Sequence, residues 1–301
     1  MYLIILYLPR RFLSFISFVL VSLFFSFSLA ANSDNDIYQE DEGLHLGIGA
    51  GYGRMGNPVY HMDDIPLILI PRIEYFYGDF AFSNTQLTYT PFYGENFQFS
   101  FLTRFNNDGL YFLEQNFSTS LAAATFRSPM MGSPSPGQIP PKGTVPTKRR
   151  GDMSLIQRRH LSLMSGVEWI YDWQYWRLSA SWLQEITQRH YGGEKFLAVE
   201  RHWLLDKHLV VLGAEVQQQS ADLIDYYYGS HYSDLGAGFS QYKGEQAYNF
   251  SLQLKYQYRF DNKWQLITDL KYQTLDPVIS ESPFVDQSNV FSFYAGIAWN
   301  H

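Results

Sequence analysis

Cysteine is absent from all 301 residues, which excludes a disulfide scaffold, thiolate metal sites and a lipid-modified N-terminal Cys. Charge is sparse as well: charged residues make up 17% of the chain, and 22 basic against 29 acidic residues leave a net charge of −7. That balance lacks the cationic surplus with which proteins neutralise phosphate backbones, so no nucleic-acid partner is expected. Long apolar runs are missing too. Beyond residue 30, no stretch approaches the roughly 20 apolar residues of a spanning helix.

Aromatic residues, by contrast, are abundant at 18% (24 Phe, 23 Tyr, 7 Trp), yet mean hydropathy is only −0.22. Many rings without long apolar runs point to strands that alternate between two environments. The stretch YNFSLQLKYQYRF is the plainest case. Tyr248, Phe250, Leu252, Leu254, Tyr256, Tyr258 and Phe260 fall on one face, and Asn249, Ser251, Gln253, Lys255, Gln257 and Arg259 on the other, a period of two.

Several such segments reach about ten residues or more, the length of a tilted transmembrane strand rather than of a typical soluble one. Rings cluster at segment ends, as interfacial girdles require. Tight turns such as YGD at 77–79, DWQ at 172–174, LDK at 205–207 and DN at 261–262 alternate with longer polar connections, the asymmetry of an outer-membrane barrel. The fold class is therefore all-β, a transmembrane antiparallel β-barrel.

Strands are expected near 44–54, 65–77, 79–90, 94–105, 158–171, 174–187, 195–204, 208–218, 246–260, 263–274 and 288–300. NNDG at 106–109 reads as another tight turn, and termini on one side demand an even number. The only segment left to supply the missing strand is 109–126, which gives about 12 strands, with 10 as the alternative.

Arg10 and Arg11 precede the apolar run Phe12 to Ala30, and Ser28 and Ala30 sit where a signal peptidase needs small residues. Residues 1–30 thus read as a cleaved signal peptide, 31–43 as a periplasmic tail and 44–301 as the barrel. Between 127 and 159 lie six prolines together with Arg127, Lys142, Lys148, Arg149, Arg150, Arg158 and Arg159. Proline at that density is incompatible with a sheet, so 127–157 reads as a basic outer loop able to meet lipopolysaccharide phosphates.

LHLGIGAGYG (Leu44 to Gly53) followed by Pro58 and Tyr60, IPLILIPRIEYFYGDFAF, YYYG (Tyr226 to Gly229) and ESPFV (Glu281 to Val285) together resemble the MipA/OmpV family. That resemblance implies an outer-membrane barrel acting as a scaffold for a lytic transglycosylase and a peptidoglycan synthase. The family pattern has a Gly two residues after Pro-x-Tyr; here Met62 stands there.

No catalytic, metal or cofactor site is expected. His160-Leu161-Ser162 and His231-Tyr232-Ser233 have a His-x-Ser spacing, but the first is followed by Leu163-Met164 and turns into the lumen, away from lipid. The eight histidines form no HExxH, and His202 and Asp206 would converge only on a helix. Candidate binding residues are Tyr226, Tyr227, Tyr228 and Gly229, whose rings suit either stacking on sugars or filling the lumen, with Gly229 expected to supply a positive φ. Glu281, Ser282 and Pro283 are expected to meet that loop inside the barrel. Lys255, Arg259, Lys263, Asp269, Lys271, Arg177, Glu185 and Arg104 are expected to line the lumen, leaving a small-solute channel as the alternative to a scaffold.

The chain closes on YAGIAWNH. Tyr294, Gly296, Trp299 and His301 fill the polar, Gly, aromatic, aromatic positions of the C-terminal strand by which outer-membrane proteins pair with the barrel assembly machinery. His301 stands where Phe is usual.

Overall fold

The computed structural model describes residues 42–113 and 151–301. The expected signal peptide, nearly all of the tail, and most of the Pro-rich loop lie outside these residues. Twelve strands form one closed antiparallel barrel: β1 (Gly43–Met55), β2 (Ile65–Tyr77), β3 (Phe80–Ser83), β4 (Gln86–Tyr93), β5 (Phe97–Phe105), β6 (Leu163–Trp173), β7 (Trp176–Glu185), β8 (Gly193–Leu205), β9 (His208–Gln219), β10 (Ala247–Arg259), β11 (Trp264–Thr274) and β12 (Asn289–Asn300).

The expected number is met, but by a different route. Residues 79–90 are not one strand: β3 and β4 form a hairpin with Phe82 opposite Leu87. Asn84 makes the turn at φ 51, and its amide and side-chain oxygen bind Ile73 of β2 at 2.7 and 2.9 Å. This extra reversal restores even parity, so β5 runs in the direction opposite to the one expected and pairs directly with β6. Among the described residues no strand intervenes between them. Residues 106–109 are therefore no short turn; they enter a 3₁₀ turn, Asp108–Phe112, on which Asp108, Gly109 and Leu110 are buried.

The start of β1 and the end of β12 lie on the side of the tight turns, as Gly47 opposite Asn300 requires. The outer wall carries exposed Leu46, Ile48, Leu197, Leu252 and Ile297 between rings at the turn end (Tyr77, Trp173, Trp264) and at the loop end (Tyr52, Trp182, Tyr248). That is an apolar band with two girdles.

The β1–β12 seam explains the glycine-rich opening motif. A Cβ at Gly51 would lie 2.2 Å from the Ala295 carbonyl oxygen and 2.5 Å from Gly296 Cα, backbone atoms that cannot yield. Tyr294, 1% exposed, lies along the inner face there. A Cβ on Gly296 would come within 2.5 Å of its hydroxyl.

Candidate functional site

At the loop end the barrel is filled by its own loops. Ser220 caps α1 (Ala221–Tyr228), and its hydroxyl also accepts the Gly193 amide at 2.9 Å, which fixes the helix to the top of β8. α1 carries Leu223, Ile224, Tyr227 and Tyr228 into a buried cluster. They pack there with wall residues Leu102, Met164, Leu183 and Val290 and with Ile279 and Val285 of the last loop. α2 (Tyr232–Gly236) and α3 (Pro277–Ser280) complete the helical part.

The tyrosines are anchored individually. Tyr228 donates to Asp108 Oδ1 at 2.6 Å, and Gln219 donates to the other carboxylate oxygen at 2.6 Å. Burial pushes the Asp108 carboxyl above the usual carboxylate range, while the Tyr228 and Gln219 donors act the other way. Tyr227 donates to the His160 carbonyl at 3.0 Å, and Tyr226 accepts the His160 amide at 3.0 Å. Burial drives the Tyr227 and Tyr228 phenols further up, so both remain neutral donors.

The structure brings Tyr226 to Gly229 and Glu281 to Pro283 together: Ser282 Oγ donates to the Tyr228 carbonyl at 2.6 Å, and Pro283 is buried while Glu281 is exposed. Tyr227 and Tyr228 spend their faces on this packing, and Tyr226 is half-buried. Gly229 does not supply a positive φ. It is extended at φ −75, and glycine is needed because a Cβ would lie 2.4 Å from the Asp225 carbonyl oxygen.

The first loop joins the same assembly. Val59 bridges Val285, and the Tyr60 amide donates to the Phe284 carbonyl at 2.7 Å. The loop turns at His61, φ 59, so position 62 needs no glycine and tolerates Met62. The Pro-x-Tyr, YYYG and ESPFV motifs are thus parts of one plug.

Arg159 of the expected basic loop is not available to an external phosphate. Its guanidinium is buried over the Phe284 ring and pairs with Asp234 at 2.9 Å, the two side chains being 1% and 0% exposed. That pairing and the Gln157 and His231 amides hold the Asp234 carboxyl below the usual range, against the effect of burial.

Neither His-x-Ser pair is a dyad. His160 is exposed and Ser162 fully buried; His231 and Ser233 flank the start of α2 without a hydrogen bond between them among the described residues. Ser162 instead meets His190, which no local spacing pattern singles out, at 3.0 Å. His190 Nδ1 accepts the Gly192 amide at 3.0 Å, so Nε2 carries the proton and donates to Ser162 Oγ. Ser162 in turn lies 3.1 Å from the Tyr227 hydroxyl. An imidazole already donating to the serine cannot act as its base, and the chain of donors ends in a backbone carbonyl.

Burial lowers the His190 pKa to about 4, against the opposing pull of Glu185 and Asp222. Unfolded, it titrates near 6.5. The folded form is therefore fully favoured above about pH 6.5 and loses stability as pH falls from there to about 4, by roughly 2–3 kcal/mol in all. Replacing His190 with Asn should flatten that part of the profile. Urea unfolding between pH 4.5 and 7.5 tests this, and equal slopes in both proteins would contradict it.

The lumen is charged along its length, from Arg104 and Glu194 near the loop end to Arg177 and Asp172 near the turn end. Lys255 reaches Glu200 at 3.0 Å, Lys271 reaches Glu215 at 3.1 Å, Arg177 grips Asp172 at 2.8 and 2.9 Å, and Arg104 reaches Glu194 at 2.9 Å. Asp269 is buried. Two of the expected lumen residues depart from the reading: Arg259 and Lys263 are exposed at the rim. Glu185 sits at the loop end, where its carboxylate accepts the amides of Thr187, Arg189 and Tyr191. His202 pairs with Glu200 rather than Asp206, and the described residues contain no cluster able to hold a metal.

On β12, Tyr294 and Gly296 face the lumen side and Trp299 the outer side, stacked on His301 at 5.7 Å. The His301 amide donates to the Leu46 carbonyl at 2.8 Å, extending the seam by one residue. The Tyr294 hydroxyl is buried with no hydrogen-bond partner among the described residues.

Residues 46–301 match the family model described as MltA-interacting protein MipA. YiaT of Escherichia coli (strain K12), whose name places it in the outer membrane, is 23% identical over 148 residues, 49% of this chain. The match spans 60% of the length of that relative. Among solved structures, the NanC porin superposes with TM-score 0.39 at 10% identity, over 85% of this chain and 99% of that one. The COG4313 outer membrane channel from Pseudomonas putida F1 gives TM-score 0.39 at 10% identity, over 90% and 99%.

Proposed function

Because this chain is an outer-membrane barrel belonging to the MltA-interacting protein MipA family, we propose that it is a non-enzymatic scaffold, closed on the outer side, that docks a murein-remodelling enzyme at its periplasmic end. The partner class comes from the family: a lytic transglycosylase, with a peptidoglycan synthase as the second member of the complex. One observation supports a scaffold over a pore: Tyr227 and Tyr228 stand, 0% and 1% exposed, in a hydrogen-bonded plug across the outer mouth. The absence of an activatable nucleophile at Ser162 is in keeping with a non-enzymatic role.

The second reading is a small-solute channel, favoured by the charged lumen below the plug. Purified barrel in planar bilayers, together with affinity capture on an immobilised MltA-type lytic transglycosylase, separates the two. Silence with capture is expected. Stepwise conductance without capture would replace the scaffold with the channel. Two further partners belong to the same proposal: lipopolysaccharide at the basic loop, without Arg159, and the barrel assembly machinery at Tyr294, Gly296, Trp299 and His301.

A further inference from the structure

The strand arginines at 54, 72, 104 and 177 each hold a carboxylate, at 2.7, 2.6, 2.9 and 2.8 Å. Arg201 on β8 does not. Its neighbour Glu200 points into the lumen toward Lys255, so alternation turns Arg201 outward, onto the lipid-facing wall. There its guanidinium lies 5.0 Å from the ring centre of Tyr175, 5.1 Å from that of Trp176 and 5.7 Å from that of Trp203. Trp176 is its register partner on β7, and the partner on the other side, on β9, is Leu212. Among the described residues it has neither a hydrogen-bond acceptor nor an acid.

Three rings within about 6 Å attract a cation through their faces, but they accept none of the five guanidinium N–H groups in the plane of the fork. On a barrel's outer surface those donors need an anion or water, and bare charge is increasingly costly with depth. Arg201 lies four residues before Leu205, the last residue of β8, at the turn end. A side chain that snorkels from there reaches the headgroup level of the periplasmic leaflet, where phospholipids, not lipopolysaccharide, supply the phosphate.

We propose that Arg201, framed by Tyr175, Trp176 and Trp203, is a binding site for the headgroup phosphate of a periplasmic-leaflet phospholipid. The rings hold the guanidinium in place and pack on the upper part of the acyl chains, and the planar fork takes two phosphate oxygens. The site lies on the face from which a periplasmic partner would approach, but it does not depend on that partner.

The test is native mass spectrometry of the refolded, detergent-solubilised barrel titrated with phosphatidylglycerol, with monogalactosyl diacylglycerol of the same chains as a phosphate-free control. Wild type should retain a phosphatidylglycerol with about tenfold preference over the galactolipid, as a charge-assisted pair implies. Arg201→Met should lose that preference, and Arg201→Lys should keep part of it. Heat-modifiable gel mobility confirms that each variant is folded, which an outward-facing substitution should leave intact. Equal retention by wild type and Arg201→Met, or equal binding of the galactolipid by wild type, would overturn the assignment. Displacement of the lipid by millimolar inorganic phosphate would overturn the lipid as the ligand and leave a free-anion site.

Discussion

Replacing Asp234 with Ala should weaken the plug by about 3–5 kcal/mol and speed hydrogen exchange at the amides of 223–236 by roughly 100- to 5000-fold. The reason is the asymmetry of a buried ion pair. Arg159 and Asp234 are 1% and 0% exposed, so removing the acid leaves the guanidinium over the Phe284 ring without its counter-charge, still donating to the Gln157 and Gly229 carbonyls but with its Nε lacking a partner among the described residues. The Gln157 and His231 amides lose their acceptor in the same step. The Arg159→Met/Asp234→Leu double variant, which removes both charges, should recover much of the loss. An exchange change below tenfold for Asp234→Ala would mean that the pair is not what holds α2 to the 157–159 segment.

The same pair sets the order of acid sensitivity. The Asp234 carboxyl is depressed below its ordinary value, so its contribution is present above about pH 4 and is lost only as pH falls through the lower folded-state value. His190 has the opposite charge type and acts earlier, between about 6.5 and 4. Acidification should therefore loosen the contact of α1 with Ser162 before the Arg159 latch.

Period-two alternation made most strands legible, since a wall with lipid on one side and a polar lumen on the other imposes it on every segment. The hairpin in 79–90 also left a signal in the sequence. Outward residues fall at 80 and 82 but then at 87 and 89, a change of parity that the reversal at Asn84 and Thr85 produces. Read as one run, those residues hide a strand, and the even count forces a substitute at 109–126.

The plug was legible in its parts but not in its contacts. Tyr228 and Asp108 are 120 positions apart, and Arg159 and Asp234 are 75 apart. No local pattern records such pairings. His190 escaped for the same reason: its partner Ser162 is 28 residues away on another strand's entry, whereas spacing rules look for neighbours two residues apart on one face.

Replacing Tyr228 with Ala should do more than destabilise; it should open the outer mouth. The ring is 1% exposed at the centre of the apolar cluster, so its removal costs about 3–5 kcal/mol through lost contacts and the cavity left behind. The cavity would not remain dry. Asp108 and Gln219 line it as polar groups, and a space with several polar partners admits water. Water at that point joins the outer side to the charged lumen of Lys255, Glu200, Lys271 and Glu215. Planar-bilayer recordings of Tyr228→Ala should show stepwise openings where wild type is silent. Tyr228→Phe keeps the ring but removes the donor to Asp108, so it should lose only about 1–3 kcal/mol and remain silent. The pair separates two roles that one substitution would merge. If Phe conducts as well as Ala, the hydrogen bond to Asp108 closes the mouth; if neither conducts, the stopper is the rest of the cluster, with Tyr227 at its head.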